Sequence, residues 1–260
     1  MPGAMQYIYA QGTVEYEALE KAHKDEMRER NKRIAQHWAF YDGDMPRPLK
    51  IEKDGVNDNV LLGKVDQVAD KVVSFLLGDG ISFDAGGDEE NTEADALVRE
   101  LWAANRDQLL LHSLALSGAM AGHCWVRIEP RGDGEMPRLV ALNPEHCSAF
   151  WQVDDIDRVL WYRLQFGETG GRVGKRVDYV RGALSGATPD MPVDHRAEGW
   201  MEFVYVSDAA QFGRWKLVDT PRALPWLFPP VVDWQNLPRP HSYYGADDVA
   251  RAVALNTAVN

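Results

Sequence analysis

Several stretches of the chain carry residue types that could do chemistry, yet none completes a familiar arrangement. Gly167 to Lys175 has the glycines and the lysine of a phosphate-cradling loop. However, Thr169 stands seven positions before Arg176 where such a loop needs Gly, and Arg176 follows Lys175 where it needs Ser or Thr. A Gly-rich hairpin is the simpler reading. Ser117 and Ser185 lack the G-x-S-x-G elbow that exposes a serine nucleophile. The seven histidines (His23, His37, His112, His123, His146, His195 and His241) never recur at i,i+4, and no H-E-x-x-H occurs. Asp154, Asp155 and Asp157, like the pair Asp247 and Asp248, offer hard oxygens that suit Mg²⁺ or Ca²⁺, but acids at such positions more commonly serve turns and helix caps. His123 and Cys124 are neighbours on an expected strand. Their side chains therefore point to opposite faces and do not meet as base and nucleophile. From these patterns we assign no catalytic residue, no cofactor-binding residue and no metal ligand.

The composition narrows the classes further. The 260 residues are 45% hydrophobic and 26% charged, as in a folded protein with a real core, and the net charge is −12. That balance argues against a protein that grips nucleic acid by neutralising phosphates, and leaves room for one that DNA slides past. Two cysteines, Cys124 and Cys147, cannot staple a disulfide scaffold, so a reducing compartment is expected. The start MPGAMQYIYAQ lacks the basic head and apolar core of a signal peptide. The most apolar helical stretch, Val60 to Leu77, is broken by Lys64, Asp66, Asp70 and Lys71, so no membrane association is expected.

The elements that must position these residues fall into a helical half and a strand-rich half, an α+β class. Residues 13–41 read as one long helix with Thr13 as N-cap and charge pairs Glu17/Lys21, Glu20/Lys24 and Glu29/Arg33 at i,i+4. Its apolar residues are sparse before Ile34, Trp38 and Phe40, so most of it should lie on a surface. Tyr41 to Pro46 breaks it. A second helix follows an Asn57-Asp58-Asn59 cap region, with a core stripe of Leu61, Val65, Val68, Ala69, Val72 and Leu76 and a stop at Gly78. Residues 79–100 hold eight acids against one base, and Thr92 with Asp95 resembles a capping box. Asp107 to Ala121 is nearly all apolar and should be buried on most sides before Gly122 ends it.

From His123 the period changes from 3.6 to 2. Runs at 125–128, 138–142, 149–153, 159–166, 176–180, 201–206 and 214–218 suggest one antiparallel unit of six or seven strands holding seven of the nine tryptophans. Asp247 caps a last helix that is still running at Asn260, which suggests that the polypeptide continues. The expected segments are an N-terminal helix and turn region (1–56), a helical part (57–122), an antiparallel β part (123–234), and a linker with the start of the final helix (235–260).

In this order the features resemble the portal proteins of tailed bacteriophages. The charged first helix runs into Trp38-Ala39-Phe40-Tyr41-Asp42-Gly43, and the second ends at Ser74-Phe75-Leu76-Leu77-Gly78. His112 to Ile128 is similar to a buried helix that turns through small residues into a first wing strand. Pro229-Pro230-Val231-Val232-Asp233-Trp234-Gln235-Asn236, followed by Tyr244-Gly245-Ala246-Asp247-Asp248-Val249, is similar to the strand and acidic cap that precede the portal stem helix.

The resemblance implies a non-enzymatic ring subunit, typically one of twelve copies, at one vertex of the phage head. It would be assembled in the host cytoplasm and contact the major capsid protein and scaffold, the terminase packaging motor and head–tail adaptors, with double-stranded DNA passing through non-specifically during packaging and ejection. The chain would then be mainly a wing, with clip, tunnel loop and crown lying in further sequence. Subunit contacts are expected on the first helix (Arg28, Arg33, Trp38) and on the segment holding Trp234, Tyr244, Asp247 and Asp248. Two other classes stay in view. Trp151, Trp161, Trp200 and Trp215 could form platforms of a carbohydrate-binding β-module, and Asp154, Asp155 and Asp157 could serve a metal-dependent hydrolase or nuclease.

Overall fold

A computed structural model describes residues 14–44, 52–53, 56–57, 63–78, 80–82, 92–132, 134–152, 155–167, 173–181, 199–208, 215–218 and 222–259. In chain order the described elements are helix α1 (Val14–Tyr41), the short strands β1 (Glu52–Lys53) and β2 (Val56–Asn57), and helices α2 (Val65–Leu77), α3 (Glu93–Ala104) and α4 (Asp107–Ala121). Strands β3 (His123–Glu129), β4 (Arg138–Ala141), β5 (Cys147–Gln152), β6 (Asp155–Phe166), β7 (Val173–Arg181) and β8 (Trp200–Asp208) follow. Then come β9 (Trp215–Leu217), β10 (Arg222–Ala223), β11 (Val231–Gln235) and helix α5 (Ala250–Val259). The class is α+β, and every strand pair is antiparallel.

The chain divides into two units, residues 1–32 with 145–229, and residues 33–144 with 230–260. In the first, β10-β8-β7-β6-β5 form a sheet, with β9 also paired to β8. Asp178 on β7 lies opposite Arg163 on β6, and the two make a paired bond, Nε to Oδ1 at 3.0 Å and Nη2 to Oδ2 at 3.3 Å. Arg176 approaches the same carboxylate at 3.1 Å. All three are buried, a costly arrangement that holds because the charges are paired and hydrogen-bonded. The guanidinium of Arg163 also lies 4.3 Å from the ring centre of Trp161, and that of Arg176 lies 4.3 Å from Tyr205. From α1, Arg30 donates to the carbonyl of Cys147 and Asn31 to that of Glu145.

In the second unit, β11-β3-β4 make a three-stranded sheet. Helix α4 covers one of its faces through Leu110 and Leu114 on Cys124 and Val126. A second cluster gathers Phe40 of α1, Val65 and Ala69 of α2, Met120 of α4, and Val249 and Val253 near and on α5. Alternation predicts strands well but not their partners, and so the single expected β-unit is two sheets, the smaller completed by β11 from about a hundred residues downstream.

Local expectations differ in three further places. Helix α2 begins at Val65 behind Lys64, while Asn57 lies in β2 and Asp58, Asn59 and Leu61 are outside the described residues. Gly78 is right-handed at φ −61°, and the left-handed glycine is Gly80 at φ +76°, whose N–H reaches Leu77 O at 2.9 Å. Of the expected stripe only Val65 and Ala69 are buried; the third buried residue of α2 is Val73 rather than Val72, and Leu76 is exposed. By contrast the Thr92/Asp95 capping box is complete in both directions, and Gly122 ends α4 at φ +76° with its N–H on Gly118 O at 2.7 Å. The side chains of the expected pairs Glu17/Lys21 and Glu20/Lys24 are not described, or described only for Lys24. Glu29 lies 3.6 Å from Arg28 rather than pairing with Arg33.

Candidate functional site

Five chain segments of the second unit meet where β11 leads into α5. They are the C-terminal part of α1, the end of α4, the start of β3, the end of β11 and the approach to α5. Glycines permit the closeness. A Cβ on Gly122 would stand 2.6 Å from Gly245 O, and one on Gly245 would stand 2.6 Å from Gly122 O. Polar bonds then fix the crossing. The N–H of Asn236 donates to Gly122 O at 3.0 Å, its Nδ2 to Asp248 Oδ2 at 2.8 Å, and the N–H of Asp248 to Ala119 O at 2.9 Å. Gln235 Nε2 donates to the carbonyls of Ser242 and Tyr243 at 2.8 and 2.7 Å, closing the intervening loop on itself. Asp247 Oδ1 accepts from the N–H of Ala250 at 2.6 Å, the N-cap bond that satisfies the first turn of α5. Buried His37 lies beneath. Its Nδ1 is 2.8 Å from Met120 O, so this nitrogen carries the proton and donates, and Asp247 Oδ1 is 4.0 Å away.

A second polar group braces the opposite face of the small sheet. His123 Nε2 lies 2.7 Å from Asp233 Oδ2, and the hydroxyl of Tyr243 donates to the same oxygen. The imidazole stacks on Tyr243 at 5.2 Å and meets Trp125 and the edge of Tyr244. Because the carboxylate only accepts, Nε2 carries a proton and donates. His123 and Asp233 thus form a pair turned inward, whose carboxylate is shared with the Tyr243 hydroxyl. Cys124 points the other way, donates to Leu114 O at 3.1 Å, and has its thiol pKa pushed up to about 12 by burial. Among the described residues no group of three or more His, Cys, Asp and Glu side chains is placed to hold a metal ion. Asp154 lies outside them, and Asp155 Oδ1 accepts the N–H of Asp157 at the start of β6. What the junction can do is mechanical. It holds the direction of α5 against α1 residues 33–41, α4 and the sheet.

Of the residues expected at subunit contacts, the junction gathers Asp247 and Asp248 as cap and brace and Tyr244 against His123. Trp38 packs against the Phe40–Val249 cluster and meets Tyr41 edge-on at 5.5 Å. Trp234 lies on β11 with its side chain half in solvent. Arg33 is exposed on the same unit, and Arg28 belongs to the other, where Asp25 is 3.4 Å away. Of the tryptophans considered as sugar platforms, Trp161 stacks on Phe150 at 4.2 Å, Trp200 stacks on Tyr162 at 5.7 Å, and the guanidinium of Arg176 lies 5.7 Å from the ring centre of Trp215. Sequence reasoning missed His37, His123, Asp233, Tyr243 and Asn236. The one available signal was an acid, Asp233, between the apolar Val231, Val232 and Trp234 of β11.

Residues 6–170 match the family model described as "Phage portal protein, SPP1 Gp6-like". No curated protein matches the chain.

Proposed function

This chain belongs to the SPP1 Gp6-like family of phage portal proteins, and on that footing we propose that it is a subunit of a closed ring, of about twelve copies, at one vertex of the phage head. The family match carries the reading, since it covers more than half of the chain. The family is structural rather than enzymatic, and among the described residues no helix is long and apolar enough to cross a membrane. In this role the ring is the channel through which double-stranded DNA enters and leaves, and the surface to which the terminase motor, head–tail adaptors, capsid protein and scaffold attach.

The charge supports a conduit rather than a clamp. Tight DNA binding comes from many Lys and Arg contacts to phosphate, each of which would resist sliding. A chain of net charge −12, repeated around a ring, instead sets up a field that repels the duplex. The junction supports it as well, because a helix that is to stand in a ring of identical helices needs its direction fixed at its base. Arg28, Arg33, Trp38, Trp234, Tyr244, Asp247 and Asp248 are the proposed contact residues.

Two measurements test this reading. Gold-labelled antibody against the protein should decorate particles at a single vertex, and label spread over the head or confined to the tail tip would contradict it. The purified protein should not shift a 60-base-pair duplex at physiological salt, whereas micromolar retention would make it a DNA-gripping protein.

A further inference from the structure

Among the described residues, β4 is the outer strand of the small sheet and pairs with β3 alone. The ladder determines which of its main-chain groups face outward. The N–H of Leu142 donates to Trp125 O at 2.9 Å, and antiparallel bonding alternates along a strand. Val140 and Arg138 therefore also bond to β3, while Pro137, Leu139 and Ala141 turn their polar groups away from it. An outward row of this kind is a template for pairing with another chain. We infer that the side-chain amide of Asn105 keeps this edge shut, and that the strand it excludes is β4 of a second copy.

Asn105 ends α3, and its amide reaches three main-chain groups. Nδ2 donates to Leu101 O at 2.8 Å and to Pro137 O at 2.9 Å, while Oδ1 accepts the N–H of Leu139 at 2.7 Å. Pro137 O and the Leu139 N–H lie on either side of Arg138. One residue of a parallel neighbouring strand would take that same pair, so the amide stands in for a strand. The next residue, Arg106, is held at φ +54°, a left-handed backbone uncommon outside glycine, which sets how the α3–α4 turn presents Asn105. Pro137 has no N–H to offer. What stays outward is the C=O of Leu139 and both polar groups of Ala141, in residues that are only half-buried.

These groups select the occupant. Two copies of β4 laid antiparallel, Val140 against the second copy's Val140, set Leu139 opposite Ala141 twice, and each such pair exchanges two N–H to C=O bonds. That register uses Leu139 and Ala141 in full and asks nothing of Pro137. It does need the Leu139 N–H that Asn105 occupies. Two three-stranded sheets would then join into one, in a two-fold contact that closes at two copies. The inference stands apart from the ring reading, in which such a pair would be a dead end.

The test uses the full chain with Val140→Cys, alone and together with Asn105→Ala, under mild oxidation, with sedimentation velocity on the same samples. Position 140 is a non-hydrogen-bonded pair in this register, where Cα atoms come closest, and native Cys124 and Cys147 are buried. Asn105→Ala should raise the 140–140 disulfide between copies at least tenfold. Adding Ala141→Pro, which deletes an outward N–H and spares the bonds to β3, should cancel the gain. Asn105→Gly, which suits a helix end, repeats the measurement if Asn105→Ala misfolds. Equal linkage with and without the Asn105 amide, or linkage that survives Ala141→Pro, would overturn the inference and leave the ring reading untouched.

Discussion

Buried on β7, Asp178 balances two guanidinium groups at once. Removing it leaves Arg163 and Arg176 charged in a place that water does not reach, and the aromatic rings beneath them only partly replace the lost partner. Asp178→Ala should therefore cost about 3–5 kcal/mol, read as a shift of the urea midpoint at constant slope. Cys124 makes a prediction in pH. Burial lifts its thiol from 9.0 to about 12. Because the folded value lies above the unfolded one, this contribution is whole below pH 9.0 and is lost as pH rises toward 12. Tyr41 acts in the same sense from its ordinary 10.0 upward, through burial and the bond to Asp70. The melting temperature should fall across that alkaline window, and more gently in Cys124→Ala. Parallel curves for the two proteins would contradict the assignment.

At the scale of elements, the base of α5 carries the account. Asp247→Ala removes the N-cap bond and should cost about 1 kcal/mol. Reversing both acids, Asp247→Lys with Asp248→Lys, should cost more, since it sets cations at a helix N-terminus and breaks the bond from Asn236. Gly245→Ala drives a Cβ against Gly122 O and should cost about 1–3 kcal/mol, measured by thermal unfolding. These features differ in how far the sequence discloses them. The Thr92/Asp95 box, the Gly122 stop and the Asp247 cap are local, each determined by residues within a few positions, and all three were readable. The His123–Asp233–Tyr243 group joins residues 110 positions apart in the chain and depends on β11 pairing with β3 in one register. Nothing in His123 to Glu129 names that partner. The α2 stripe misled at Leu76 for a related reason: helical spacing shows which residues share a face, but not how far along the helix a neighbour covers it.

For the whole molecule, α1 has most of its described charged side chains in solvent, and Phe75, Leu97, Leu109, Trp234 and Leu237 of the second unit are apolar and exposed. On the ring reading proposed above, neighbouring copies would cover part of these surfaces. The family assignment and the acidic charge point the same way. The most direct test is negative-stain electron microscopy of the full chain, with symmetry analysis of end-on views. Closed rings with a central opening and a fixed copy number near twelve are expected. A protein that stays single at tens of micromolar, or stops at a two-fold dimer, would contradict the account.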